Sequence, residues 1–263
     1  MIIVITGASS GIGRETARIL AESGHTVYDL SRSEKPQQGV THIYCDVTKR
    51  ETVDIAIQTI ASREGRIDKL ILCAGMGVAG SIEHTADADM QHQFDVNTFG
   101  PIRVIQAALP LMRTQDIVGK ERGRIIFVGS MAGVFGIPFQ AMYSATKAAV
   151  NSFAFSLRNE LRPYNIKVAV LMPNDVKTSF SRKTDLTGSE IYPNMQPAIE
   201  QMEHDEANGL TADVVARRVI RATMRKRVGL YYTSDFMSSV ECFLQRLLPT
   251  SAALYVVKKL YHC

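Results

Sequence analysis

The chain begins Met1-Ile-Ile-Val-Ile-Thr6, an apolar run that leads directly into Gly7-Ala-Ser-Ser-Gly11-Ile-Gly13 and then into the helical pattern Arg14-Glu-Thr-Ala-Arg-Ile-Leu-Ala-Glu22. A buried strand, a glycine turn and a helix in immediate succession predict the first half of a strand–helix–strand crossover, and with it a parallel sheet. The glycines also carry a chemical reading. They permit a tight turn and bring backbone N–H groups and a helix N-terminus against a pyrophosphate. Gly7, Ser9, Ser10, Gly11, Ile12 and Gly13 are the candidates for that contact. A second glycine run, Gly75-Met-Gly77-Val-Ala-Gly80, also follows an apolar stretch, Leu70-Ile-Leu-Cys73. No helix opens inside it, since the next helical pattern starts near Thr85, so it reads as a loop passing beside a bound nucleotide.

The alternation continues along the chain. Strands are expected near 1–6, 25–30, 41–45, 68–73, 123–129, 165–171 and 228–232, and helices near 11–23, 48–63, 86–113, 141–162 and 211–227. That pattern implies an α/β fold with a seven-stranded, mostly parallel, doubly wound sheet flanked by helices. With 263 residues, 46% hydrophobic and 21% charged, the chain suffices for one domain over 1–263. The stretch 176–210 breaks the alternation, and the tail 233–263 holds two amphipathic stretches divided by Pro249, at 236–248 and 252–260. Thirty basic against 26 acidic residues give a net charge of +4, which argues against a nucleic-acid-binding surface. Cys45, Cys73, Cys242 and Cys263 lack C-x-x-C spacing and suit a reducing cytoplasm, and the six scattered histidines point to no metal. The first apolar run is too short for a signal peptide and has no basic flank, and no run reaches the length of a membrane span.

Proton-transfer chemistry is written in the middle of the chain. Arg124-Ile-Ile-Phe-Val-Gly-Ser130 reads as a central strand ending in a serine, and Tyr143-Ser-Ala-Thr-Lys147 places a phenol and an ammonium side by side on a helix at i, i+4. A nearby cation favours the tyrosinate, so a phenol that ordinarily titrates near pH ~10 could exchange a proton at neutral pH. Ser130 can donate to the same carbonyl oxygen. Tyr255 and Lys259 repeat the spacing without a glycine-ended strand before them, and there the plain reading is an amphipathic helix.

Together these residues resemble the short-chain dehydrogenase/reductase family over residues 1 to about 230. Thr6-Gly-x-x-x-Gly-x-Gly13 is similar to its cofactor turn, Asp46-Val47 to its adenine position, and Asn97 in Asp95-Val-Asn-Thr-Phe-Gly100 to its fourth catalytic position. Ser130, Tyr143 and Lys147 fall where the other three catalytic residues stand, and Pro173-x-x-Val176-x-Thr178 where the family meets the nicotinamide. The resemblance adds Ala74 and Gly75 to the cofactor side, together with Asn97, Tyr143 and Lys147. It implies that Tyr143 is acid in reduction and base in oxidation, that Lys147 lowers its pKa and holds the nicotinamide ribose, that Ser130 polarises the carbonyl, and that Asn97 supports a water-mediated proton path. Two departures stand out: Cys73 occupies the place of the family's usual asparagine before Ala74-Gly75, and Asn174 that of the glycine after Pro173.

NADP(H) is the expected cofactor. An NAD site usually sets an acid against the ribose about 20 residues beyond the glycines. Here Ser31 holds that position and Arg32 follows, which suits a 2′-phosphate. Asp29, on the same side of the strand, is the competing residue. Met131, Phe135, Ile137, Phe139 and Met142 between Ser130 and Tyr143, with Phe180, Ile191, Tyr192 and Met195 from the 176–210 segment, are expected to form an apolar lining, and with Ser130 to bind a lipophilic ketone or alcohol. The Ser31-Arg32 pair and Leu247-Leu-Pro-Thr250 look most like the hydroxysteroid and retinoid dehydrogenase branch. Phe243, Leu244, Leu247 and Leu248 repeat at helical spacing, so the tail is expected to bury a greasy face, close the cleft or touch a membrane peripherally. Arg217, Arg218, Arg221, Arg225, Lys226 and Arg227 read as a solvated helix face or a patch for an acidic carrier protein, the latter belonging to a 3-oxoacyl-thioester reductase. A third reading is an NADP(H)-sensing regulator without turnover. The resemblance also implies a homodimer or homotetramer built on the 86–113 and 141–162 helices.

Overall fold

The computed structural model describes residues 1–226, 228–229, 231–247 and 249–261, without the side chains of Tyr231 and Arg246. Arg227, Leu230 in the expected strand over 228–232, Leu248 and Cys263 lie outside the described residues. In chain order the elements are β1 (Ile2–Thr6), α1 (Gly11–Glu22), β2 (Thr26–Ser31), β3 (Val40–Tyr44), α2 (Arg50–Glu64), β4 (Lys69–Leu72), β5 (Gly77–Ala79), α3 (Asp87–Phe94), α4 (Gly100–Thr114), β6 (Gly123–Val128), α5 (Ala141–Glu160), β7 (Ile166–Met172), β8 (Val176–Lys177), β9 (Arg182–Thr184), α6 (Met195–Asn208), β10 (Leu210–Thr211), α7 (Ala212–Met224), β11 (Tyr231–Thr233), α8 (Phe236–Leu247) and α9 (Thr250–Leu260).

One sheet carries seven strands in the order β3-β2-β1-β4-β6-β7-β11, every neighbouring pair parallel. The chain builds outward from β1 to β3, then returns to lay β4 on the other side of β1. The strand order reverses there, and the carboxyl ends of β1 and β4 open the crevice where such sheets bind ligands. Apolar residues alternate between two core layers. Ile3 and Ile5 pack with Ala17, Leu20, Val215 and Val219 of α1 and α7, while Val4 packs with Val53, Ile57, Val104 and Val150 of α2, α4 and α5. In β6, Ile126 and Val128 join the first layer, Ile125 and Phe127 the second. Burial on both faces explains why these strands read as unbroken apolar runs. Phe127 is among the largest fully buried side chains, and its truncation to alanine costs about 3–5 kcal/mol.

The long helix expected over 86–113 is divided. Pro101 has no N–H to give the Asn97 carbonyl, and the chain takes a wider π turn over Asp95–Phe99 between α3 and α4. The second glycine run is partly a strand, Gly77–Ala79 pairing with Arg182–Thr184. The 176–210 segment, which breaks the strand–helix alternation, is itself regular in part. It contributes that ladder, the β8–β10 pair and the 14-residue α6, whose Met195, Ile199 and Met202 pack with Ala79 in a satellite core. The tail forms α8 and α9 close to the expected bounds. The expected burial of its greasy face is corrected: Phe243 is 62% and Leu247 65% exposed.

Candidate active site

Gly7 adopts φ +71, a left-handed conformation that favours glycine, and a Cβ there would come 2.9 Å from the Ala74 backbone. A Cβ on Gly13 would meet the Gly7 carbonyl oxygen at 2.5 Å. These two glycines let the turn after β1 fold tightly against α1, whose first residues Gly11, Ile12 and Gly13 face a cavity of about 830 Å³. The uncapped N–H groups of that helix end and its positive dipole end suit an anion.

The end of β2 supports the same turn. Asp29, 2% exposed, accepts the Ala8 N–H at 3.0 Å through Oδ1. Its Oδ2 accepts the Ser31 hydroxyl at 2.8 Å and lies 3.1 Å from His42 Nδ1. The carboxylate that competed for the ribose is thus taken up by the protein. Gln37, which sequence reasoning missed, donates from Nε2 to the Ala8 carbonyl at 2.9 Å. Ser31 is buried with its hydroxyl oxygen also 3.1 Å from the Ser33 carbonyl, whereas Arg32 is exposed on the cavity wall. Asp46 and Val47 line the adjoining wall. Burial would raise the Asp46 carboxyl, but bonds from Thr48 and the nearby Arg32 and Lys49 charges hold it below its usual value.

At the cysteine departure, Thr6 takes over the strand-edge bonding: its Oγ1 accepts the N–H groups of Cys73 at 3.0 Å and Ala74 at 3.1 Å. Burial pushes the Cys73 thiol up to about 12. Asn174 stands among the residues with ordinary negative φ, so no left-handed tolerance is needed after Pro173.

β6 delivers Ser130 and α5 delivers Tyr143 and Lys147 into the same cavity. Ser130 Oγ accepts the Ala132 N–H at 3.1 Å, which fixes the hydroxyl at the strand end. Lys147 Nζ donates to the Val128 carbonyl at 3.1 Å and stands 5.6 Å from the Tyr143 ring centroid. The Tyr143 ring meets Phe180 edge-on at 5.8 Å. Burial pushes the Tyr143 phenol up to about 12, against the downward pull of its hydrogen bond with Ser130. Burial lowers Lys147 to about 8. For the phenol of the cofactor-free chain, desolvation outweighs the hydrogen bond with Ser130. Tyr255 and Lys259 share the geometry at 5.7 Å but sit on the exposed α9, Tyr255 being 60% exposed.

Of the other expected site residues, Ala74, Gly75, Pro173, Val176, Thr178, Met131, Phe135, Ile137 and Phe180 line the cavity. Asn97 does not. Its Oδ1 accepts the Met76 N–H, and its Nδ2 donates to the Met76 carbonyl, each at 2.8 Å, and to Thr146 Oγ1 at 3.1 Å, which clamps the loop after β4. Phe139, held at φ 57, turns to Tyr192, while Met195 is fully buried in the satellite core and Ile191 is 59% exposed. Met142, Phe139, Ile191, Tyr192 and Met195 stand outside the cavity wall.

An acidic part of the cavity wall was not foreseen. Asp175, Asp205, Glu206 and Glu241 line it with one guanidinium, Arg182, which pairs with Glu206. Burial and the neighbouring Asp205 and Glu206 charges raise Asp175 to about 6. Leu244 from α8, Val256, Val257 and Leu260 from α9, and Tyr261 just after it line the same cavity. No short motif marks these residues, because they meet only after α6, α8 and α9 pack around the cleft.

The short chain dehydrogenase family model matches residues 1–187. The chain is 38% identical over 231 residues to a 3-ketodihydrosphingosine reductase from Bacteroides thetaiotaomicron, covering 86% of this chain and 84% of the relative. It is 31% identical over 202 residues to an NADPH-dependent 1-acyldihydroxyacetone phosphate reductase from Saccharomyces cerevisiae, covering 73% and 66%. The fold is similar to that of a short-chain dehydrogenase from Streptomyces avermitilis, with a TM-score of 0.83, 24% identity and coverage of 99% and 97%.

Proposed function

The chain belongs to the short-chain dehydrogenase/reductase family of oxidoreductases, and from that premise we propose that it uses NADPH to reduce a long-chain ketone bearing an amine to a secondary alcohol. One observation carries the reading: a single cavity is lined by the glycine turn and Arg32, by Ser130, Tyr143 and Lys147, and by the carboxylates of Asp175, Asp205, Glu206 and Glu241.

The cofactor side fits a phosphorylated dinucleotide. The close approach at Gly7 and Gly13 leaves the cradle for a pyrophosphate at the start of α1, and Arg32 supplies a guanidinium for a 2′-phosphate. Asp29, already accepting three contacts, is withdrawn from the ribose. The NADPH dependence named for the yeast relative supports the same choice. When bound, NADPH supplies the hydride.

The chain's own residues supply the proton and the orientation. Ser130 donates a hydrogen bond to the ketone oxygen. Tyr143, protonated at neutral pH with its pKa at about 12, gives its hydroxyl proton to that oxygen as it becomes an alkoxide. The Lys147 ammonium stabilises the tyrosinate left behind. The substrate end favours a cation. A neutral steroid or retinoid skeleton would satisfy Phe135, Ile137 and Phe180 but leave Asp175 unneutralised among like charges. An ammonium beside the carbonyl satisfies both, and the similarity to a 3-ketodihydrosphingosine reductase supports it.

NADPH oxidation with a panel of long-chain 2-amino ketones, steroid and retinoid ketones, and 3-oxoacyl thioesters tests the proposal. The expected result is the highest kcat/KM on the amino ketones. A higher kcat/KM on steroids or carrier thioesters would overturn the substrate class, and tight NADPH binding without turnover on any ketone would overturn the enzyme reading.

A further inference from the structure

We propose that α8 and the arginines beside it dock on an anionic lipid bilayer surface and set the mouth of the substrate cavity against the headgroups. On α8, Phe236, Phe243 and Leu247 recur at i, i+7 and i+11 and are 81%, 62% and 65% exposed, so one face of the helix is an apolar stripe turned outward. Met237 adds to it at 63%. No helix among the described residues is long and apolar enough to cross a membrane, and a short helix with an outward apolar face is the form that lies in a bilayer interface.

Charge says what covers the stripe. Phe236 and Phe243 form one side of an open groove whose other side is Arg218, Arg221 and Arg225 of α7 and the residue after it. None of the three arginines has a carboxylate within ion-pair distance among the described residues, whereas Arg217, one position away, is paired with Asp213 at 3.1 Å. Asp235, the acid in the groove, is committed to its own turn: it accepts the Ser238 N–H at 2.7 Å and the hydroxyls of Ser234 and Ser238. Lys258 and Lys259 add exposed cations on α9. A second copy of the chain meeting this face about a two-fold axis would set arginines against arginines. An anionic headgroup layer meets both the guanidiniums and the apolar stripe.

Continuity with the site gives the surface a use. Leu244 lies next to Phe243 on α8, is 44% exposed and lines the substrate cavity, as do Val256 and Leu260 of α9 at 52% and 60%. The apolar stripe therefore runs from the lipid-facing side of α8 to the cavity mouth, a path by which a long-chain ketone passes without crossing water. This delivery role rests on the ketone-reductase reading; the docking itself does not.

Two measurements on the full chain separate them. Sedimentation with phosphatidylcholine vesicles, with and without phosphatidylglycerol, reads docking alone. The expected result is binding to the anionic vesicles that weakens with salt, by about fivefold for each arginine changed in Arg218→Gln, Arg221→Gln and Arg225→Gln, and about a hundredfold for the three together. Phe243→Ser with Leu247→Ser, both on exposed positions that leave no core cavity, should abolish binding while NADPH binding and turnover of a short water-soluble ketone are unchanged. Equal binding to neutral and anionic vesicles, or full binding by the arginine triple variant, overturns the proposal. So does a dimer in light scattering that the Phe243→Ser, Leu247→Ser variant abolishes, which would give the stripe to a second copy, or salt-sensitive capture of an acidic carrier protein in place of vesicles. If vesicle binding holds and long-chain ketones are not turned over, the function reading fails and the docking stands.

Discussion

The Asp29 carboxylate accepts the Ala8 backbone N–H at 3.0 Å and so ties the end of β2 to the glycine turn. A carboxylate near the ribose position serves as a structural acceptor, and the exposed Arg32 on the cavity wall is the residue we propose reads the 2′-phosphate. Arg32→Ala should therefore lower kcat/KM for NADPH by about 10- to 100-fold, the worth of charge-assisted hydrogen bonds at ~1.5–3 kcal/mol, with little change for NADH. Asp29→Asn should weaken both cofactors alike and lower Tm, since an amide cannot accept from Ala8, Ser31 and His42 together. A gain in NADH use by Asp29→Asn would contradict this division of labour.

Removing the Tyr143 hydroxyl tests the proton donor. Tyr143→Phe keeps the edge-on contact with Phe180 and should bind NADPH normally, yet turnover should fall by about 100- to 10,000-fold. Tyr255→Phe, at the same spacing from a lysine on an exposed helix, should retain full activity.

The contrast between those two pairs shows what the sequence could and could not convey. The β1–turn–α1 unit, the seven-strand alternation and the Ser130, Tyr143, Lys147 set are local patterns, each fixed by spacing along one or two elements, and all were legible. The direction of the Tyr143 shift was not, because its burial comes from residues remote in sequence, Phe180 among them. Asn97 was legible as a marked position, but the partners that hold its side chain, Met76 and Thr146, come from elements remote in sequence. Phe139 and Met142 looked like lining by proximity to Tyr143. The backbone at Phe139, with φ 57, turns that ring into the satellite core instead. The Asp175 cluster has no sequence signature at all, since its carboxylates lie on three separate segments.

On the proposed mechanism, Lys147 sets the pH dependence of the reaction. Its pKa, lowered by burial to about 8 from 10.5, means that the ammonium is present below about pH 8 and lost above it. The rate of reduction should fall as pH rises through about 8, while Tyr143 stays protonated throughout that range. Stability runs the other way. The unfolded lysine titrates at its ordinary value, so below pH 8 the folded chain carries a buried ammonium at a cost, and the cofactor-free protein should gain stability between about pH 8 and 10.5. Lys147→Met should abolish turnover yet raise stability at neutral pH by up to about 3 kcal/mol. Denaturant melts of both proteins at two pH values check the sign; a destabilised Lys147→Met variant would contradict it.

Asp175 is where the amine reading is most exposed to test. Its carboxyl, raised to about 6 by burial and by Asp205 and Glu206, is ionised at neutral pH only against its surroundings, and a substrate ammonium would relieve that. Because ionisation is completed as pH rises through about 6, KM for a long-chain amino ketone should fall over that interval, while KM for the matched ketone without the amine should stay flat. Asp175→Asn should raise KM for the amino ketone about 10- to 100-fold, as loss of a charge-assisted bond at ~1.5–3 kcal/mol implies, and should leave the neutral ketone unaffected. The same variant removes a carboxylate from a group of like charges and should raise Tm at neutral pH, which excludes misfolding as the source of the KM change. Steady-state kinetics of the paired substrates on both proteins decide the matter: an equal loss on the two ketones would assign Asp175 to the shape of the cavity and take the amine out of the substrate.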